Sequence, residues 1–224
     1  MKAFLYVAWK DLLMEFRTKQ MLNSMVIFSL LVIVIFNYSF SNILFNIEMS
    51  DIAPGILWIS FTFAGMLGLS RSFASEKEDG CLDALRLCPI DPSSIYLGKV
   101  ISNLIIMFII ELIIVPLFII LFNFTDIQGL LGLSVIILLG TIGFILVGTL
   151  FSALTVSMRT REILLPVILF PIIIPLIMSA VMATQNVLST GDLSAASAEV
   201  RMLIVYDVVF FIASQLVFEY VIED

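Results

Sequence analysis

The chain has 224 residues, of which 61% are apolar and 13% charged, with a formal net charge of -7 and no histidine. Soluble domains carry about 45–50% apolar residues, so the composition excludes an ordinary soluble fold and specifies a polytopic membrane protein. The acidic balance offers no basic patch for nucleic acid, and the absence of histidine removes the commonest metal and haem-iron ligand.

In chain order, Leu5, Ala8, Trp9, Leu12, Leu13 and Phe16 recur at helical spacing and make one apolar stripe opposite a charged face. Lys10, Asp11, Glu15 and Arg17 interrupt any signal-peptide core. Residues 1–20 are therefore predicted to form a helix lying in the membrane interface, either as a simple anchor or as a lever touching a cytoplasmic partner. A spanning helix needs about 20 mostly apolar residues. Six stretches qualify, at 22–45, 52–70, 100–122, 128–157, 163–184 and 202–221. They use most of the chain, so residues 1–224 are expected to form one all-α transmembrane domain with short loops and no separate nucleotide-binding unit.

Basic residues set the expected orientation. Lys2, Lys10, Arg17 and Lys19 precede the first span; Arg71, Lys77, Arg86 and Lys99 lie between the second and third; Arg159 and Arg161 lie between the fourth and fifth. Arg201 alone falls on the other side. Positive charge in short loops accumulates on the cytoplasmic face, which predicts both termini inside and makes residues 71–99 the largest cytoplasmic feature.

That segment has helix grammar. Ser75 and Glu78 resemble a capping box, Glu76, Glu78 and Asp79 suit the positive end of a helix dipole, and Pro89 ends the run. Phe73, Leu82, Leu85 and Cys88 form a narrow apolar ridge, and Gly80 demands a bend or the close approach of another backbone. A short helix tethered at both ends to spans transmits force, because pushing it must move the second and third spans. Cys81 and Cys88 lack the ligand set of a structural zinc site and are read as packing thiols.

Within the membrane, Ser60, Ala64, Gly68 and Ser72 recur every fourth residue, while Gly140, Gly143, Gly148, Ser152 and Thr155 roughly share a face of the fourth span. Small residues allow close helix approach in lipid, so these faces are expected to pack inward or against a second copy. Glu111 falls near the middle of the third span, where an ionised side chain costs about 2.5 kcal/mol or more. It is expected to be protonated or hydrogen-bonded inside the bundle. Asp207 falls in the outer half of the sixth span, within reach of pairing with Arg201. Both acids are candidate functional groups by virtue of their position. Pro166, Pro171 and Pro175 each remove an amide donor and are expected to bend or interrupt the fifth span. A hinge or path-lining break and a kinked structural helix stand as equal readings. Residues 185–201 form the one sizeable outer loop, with Leu193, Ala195 and Ala196 marking a short surface helix.

Three separated patterns together resemble one family. Phe73-x-x-Glu76, Asp79-Gly80-Cys81-Leu82-x-x-Leu85, Pro89 and Gly98-Lys99 resemble the coupling segment of haem exporter protein B, the permease subunit of bacterial cytochrome c maturation. Leu165-Pro166, Phe170-Pro171 and Ile174-Pro175 resemble its fifth span, and Phe218-Glu219-Tyr220-Val221 its carboxyl end. Glu76 stands where that pattern usually has aspartate. The resemblance implies an exporter-like permease of the ABC-2 type, without catalytic activity or cofactor of its own, in a bacterial or archaeal inner membrane. It also implies a separate ATPase subunit that holds ATP, haem-handling membrane subunits, a haem chaperone, and two permease copies per complex. Phe73, Glu76, Asp79, Gly80, Leu82, Leu85 and Pro89 become the expected ATPase-coupling residues.

The residues agree with an external energy source, since Gly98-Lys99 is followed by Val100 and lacks the earlier glycine of a phosphate loop. A drug or polysaccharide exporter permease would share this topology. A secondary transporter using Glu111 as a proton site would not, because it needs no ATPase.

Overall fold

The computed structural model describes residues 3–41, 49–74, 77, 91–122, 129–156, 158 and 160–223. It is all-helical over those residues. Helix α1 spans Ala3–Thr18, α2 Gln20–Ser41, α3 Met49–Ser72, α4 Pro92–Leu121, α5 Leu130–Thr155, α6 Arg161–Thr190 and α7 Ser197–Glu223, with a 3-10 turn at Leu193–Ala196 before α7. Helices α2 to α7 contain the six stretches long and apolar enough to cross a membrane, so the chain is a multi-pass membrane protein. An even number of spans puts both termini on one face, called here the terminal face.

Burial decides which helices are central. Of the apolar stretches, 72% of that in α3 and 61% of that in α5 are buried, against 22–33% in the other four spans. Helix α5 touches α3, α4, α6 and α7, and α3 touches α2, α4, α5 and α6. Their small residues make this possible. Ser60 and Ala64 are fully buried on α3, and the rings or chains of Trp58 and Leu69 lie directly over Gly140 and Gly148 of α5. Lipid gives helices no hydrophobic drive to associate, so close packing and interhelical hydrogen bonds carry the bundle. Trp58 Nε1 donates to Thr184 Oγ1 at 3.0 Å, Asn103 Nδ2 to Thr149 Oγ1 at 3.1 Å, and Ser152 Oγ to the Leu69 carbonyl at 2.5 Å.

Three features differ from the sequence expectation. The third span begins at Pro92 rather than near residue 100. Proline at the first helical positions needs no amide donor, and the polar residues Tyr96, Lys99 and Ser102 are buried against other helices instead of facing water. The expected loop at 185–201 shrinks because α6 runs to Thr190 and α7 starts at Ser197. Gln185 Nε2 donates to Asp51 Oδ1 at 3.0 Å and Asn186 Nδ2 to Glu199 Oε1 at 3.3 Å, so these polar side chains extend the helices past the apolar core. Gly191 closes α6 at φ 75, the left-handed cap that glycine adopts without strain.

The third difference concerns Pro166, Pro171 and Pro175. They lie inside an unbroken α6, so no interruption occurs. The buried ridge of α6 is Leu165, Leu169, Ile173, Leu176, Ala180, Ala183 and Val187. Pro171 and Pro175 are exposed and Pro166 is half-buried, so all three rings sit off the ridge and the packed face continues past the missing donors.

Candidate functional site

The ends of the second, third, fourth and sixth spans meet in one buried cluster on the terminal face. Phe73 follows the last residue of α3 and is 2% exposed. Its ring centroid lies 6.5 Å from that of Phe218 near the end of α7, and Phe218 lies 5.0 Å from Tyr96 on α4. The Tyr96 hydroxyl donates to the Leu146 carbonyl of α5 at 2.9 Å. Aromatic pairs at these separations add about 0.5–1.5 kcal/mol beyond their buried area. Each of the three rings comes from a different helix end, so together they fix those ends relative to one another.

A charged layer lies beside the rings. Lys99 on α4 is 1% exposed. Its ammonium pairs with Asp11 Oδ2 of α1 at 2.9 Å, donates to the Ser72 carbonyl of α3 at 3.2 Å, and sits 5.0 Å from the centre of the Phe73 ring. The last carbonyls of a helix carry its negative partial charge, so the end of α3 is a natural seat for an ammonium. Ser102 Oγ donates to Asp11 Oδ2 at 3.3 Å, and Lys10 pairs with Asp11 Oδ1 at 3.2 Å. Further along the chain, Lys77 Nζ donates to the Val156 carbonyl at the end of α5 at 3.2 Å.

Of the expected coupling residues, Phe73 alone is described; Glu76, Asp79, Gly80, Leu82, Leu85 and Pro89 lie outside the described residues. Phe73, expected to couple to a partner, has its ring buried against Phe218 and Lys99. Lys99 is no loop charge. It is a helix residue buried in an ion pair, a role that its place next to the polar stretch at Asp91–Ser94 disguised. Phe218 was legible only as part of a terminal motif, and Tyr96 and Asp11 were missed; no periodicity distinguishes them from lipid-facing or interfacial residues.

The two intramembrane acids are not brought together. Glu111 is 3% exposed and accepts a hydrogen bond from the Thr141 hydroxyl, while its Oε2 has no partner among the described residues. Asp207 is 8% exposed, and neither of its oxygens has a described partner. The expected pairing with Arg201 is absent, because the Arg201 Nε donates to the Ser197 carbonyl at 3.2 Å, at the end of the helix. Each acid lies ten residues from the far end of its helix, about 15 Å along the axis at 1.5 Å per residue. Glu111 meets α5 at Thr141 and Asp207 meets it at Gly143. Positions two apart point to nearly opposite sides of a helix, so α5 separates them. A cavity of about 10 Å³ bordered by Trp58, Thr62, Thr141 and Phe144 has room for a single water at most. Among the described residues no group of three or more His, Cys, Asp or Glu is arranged to hold a metal.

Fold and cluster together define an all-helical, six-span membrane protein whose second-to-third-span segment is rooted in a junction of helix ends. The family model described as CcmB protein matches residues 2–221, and the chain belongs to that family. It is 35% identical over 127 residues to Heme exporter protein B of Rhodobacter capsulatus, covering 57% of this chain and 58% of that protein. It is 28% identical over 144 residues to Heme exporter protein B of Paracoccus denitrificans, covering 64% and 66%. The Pseudomonas aeruginosa protein of that name is 27% identical over 129 residues, covering 58% and 57%. The aligned stretch thus spans less than two thirds of each of these relatives.

Proposed function

We propose that this chain is the permease subunit of an ATP-driven transporter serving cytochrome c maturation. In this reading it couples ATP hydrolysis on a separate ATPase subunit to haem delivery, or to release of a haem-loaded chaperone. The observation that carries the reading is the junction itself: the segment between the second and third spans starts from Ser72 and Phe73, which Lys99 and Phe218 tie to α4 and α7. A push on that segment is delivered at once to the ends of three spans. Haem as cargo is supported by the names of the relatives, Heme exporter protein B.

The terminal face is then cytoplasmic, in keeping with the basic residues beside it, in the inner membrane of a bacterium or archaeon. The ATPase docks on the ridge of Leu82 and Leu85, with Glu76 and Asp79 meeting its basic groups, and two permease copies serve two ATPase subunits. Haem is substrate of the assembly and is handled by further membrane subunits, since this chain has no histidine to serve as an axial ligand. ATP binds the partner.

The test is co-purification of the chain with its ATPase after Leu82→Asp and Leu85→Asp, two changes that place charge on the docking ridge. Association and ATP turnover in the complex should both fall, and cytochrome c maturation with them. Undiminished association and turnover would remove the docking claim.

A further inference from the structure

The interfacial helix α1 is seated on the third span more intimately than an anchor requires. A Cβ on Gly98 would lie 2.7 Å from the Val7 Cβ and 2.8 Å from the Phe4 carbonyl oxygen, so the two backbones touch at that glycine. Val7, Ala8 and Leu12 are buried, while Leu5, Trp9 and Leu13 remain exposed on the other side of α1. An amphipathic helix held by lipid needs only that exposed stripe. Here the opposite side carries the half-buried Asp11 into an ion pair with the buried Lys99, which costs desolvation chiefly on the lysine. What the pair supplies is direction. An ammonium has three donors, and that of Lys99 reaches Asp11 on one helix at 2.9 Å and the Ser72 carbonyl on another at 3.2 Å.

We propose that Lys99 is a positioning residue that yokes the interfacial helix to the root of the coupling segment, so that α1 moves when the segment is pushed. The proposal rests on the permease reading above and adds a moving part to it. The linkage runs from Phe73 and Ser72, through the Lys99 ammonium, to Asp11, where Ser102 also donates to the Oδ2 that Lys99 engages. Because α1 carries an apolar stripe in the interface, its displacement shifts that stripe against the lipid headgroups. A purely structural anchor would hold the same contacts with no response to nucleotide.

The experiment uses the chain in complex with its ATPase in lipid nanodiscs. Cys81→Ser and Cys88→Ser remove the native thiols, and Leu13→Cys on the exposed side of α1 carries an environment-sensitive fluorophore. Adding ATP should shift the emission of the otherwise unaltered complex. In Asp11→Asn, and separately in Lys99→Met, the ATPase should remain bound while the shift is lost and haem-chaperone release per ATP falls about fivefold or more, the lower range of site-to-site coupling. Asp11→Asn leaves the Lys99 contact with Ser72 in place, so it tests the yoke even if Lys99→Met disturbs folding. An ATP-driven shift of unchanged size in Asp11→Asn, or no shift in the parent complex while it turns over ATP, overturns the yoke and leaves the permease reading standing. Failure of the parent chain to bind the ATPase overturns both.

Discussion

Acidic side chains are drawn into this bundle at two levels, and they are treated differently. At the terminal face Asp11 is paired with Lys99 and bonded by Ser102, in a cluster that gathers α1, α3, α4 and α7. Halfway across, Glu111 and Asp207 are buried singly on two sides of α5, and Asp207 has no described partner at all. Both levels spend desolvation energy, but the first converts it into bonds that tie three helices together, whereas the second makes a single one, from Thr141 of α5 to Glu111 of α4. Burial of a charge therefore does not by itself mark a working site; convergence of separate segments on it does.

The largest effect expected from this contrast comes from the aromatic centre of the cluster. Phe218 is fully buried between Tyr96 and Phe73, whereas Phe211, two turns earlier on α7, is 43% exposed. Phe218→Ala should destabilise the chain by about 3–5 kcal/mol, the usual cost of emptying a phenylalanine site. Phe211→Ala should fall within about 0.5 kcal/mol, as for surface substitutions away from special features. Thermal unfolding of both variants in one detergent decides it; equal losses would mean that the terminal-face cluster is no tighter than the lipid-facing surface.

Gly98→Val sharpens the same comparison at the seam with α1. The added carbon meets the Val7 side chain and the Phe4 backbone, which can yield only by α1 lifting away. Overpacking of this kind costs about 1–3 kcal/mol. The loss should appear as faster amide exchange in α1 with little change in α3 and α5. Protection spread evenly across the chain would show that α1 is not a separable layer.

How far these features can be read from sequence depends on what signal each one leaves. Six spans are legible because apolar length is a one-dimensional property, and the small residues at every fourth position of α3 and along one face of α5 do lie on packed faces. The start of the third span was misplaced by eight residues because Ser93, Tyr96 and Lys99 look water-facing when their partners are unknown. Lys99 counted as a loop charge for the same reason; its pairing with Asp11 links residues 88 positions apart, and no local pattern encodes that. The three patterns that suggested the family do carry spatial information. Phe73, the Gly98-Lys99 pair and Phe218 belong to distant segments of the chain, and all three meet in the terminal-face cluster, while the proline pattern of α6 stands apart from it.

The mid-membrane acids offer the next, smaller test. Glu111→Gln keeps an acceptor for the Thr141 hydroxyl and adds no void, so it should change stability by less than about 1 kcal/mol, near the net value of one hydrogen bond. Glu111→Ala strands that hydroxyl and should cost about 1–3 kcal/mol, the penalty for an unsatisfied buried donor. Cytochrome c maturation should survive Glu111→Gln. Its loss with folding intact would make the single acid a working group after all, favour a proton-using transporter, and reverse the contrast between the two levels.

The smallest effect expected belongs to an aspartate outside the membrane, where the same side chain acts on a turn instead of a helix junction. Asp192 accepts from the Ser194 hydroxyl at 2.5 Å and from the Ser194 amide at 3.0 Å, capping the 3-10 turn that leads into α7. Those two bonds, the hydroxyl first, hold its carboxyl below the ordinary carboxylate pKa. A carboxyl depressed in the folded state contributes its full stabilisation above the unfolded pKa and loses it as pH falls through the lower folded value. The turn should therefore loosen only in acid, below the usual carboxylate range. The Ser194 amide resonance should shift with that titration in the parent chain and lose it in Asp192→Asn, which keeps an acceptor but has no charge to neutralise. Because this carboxylate is open to water, thermal unfolding of the whole chain should not follow the local titration. Asp11, the same residue type closed inside an ion pair, should instead carry its effect into the packing of α1, and a global response to Asp192→Asn as large as that to Asp11→Asn would erase the distinction between a cap on one turn and a tie between helices.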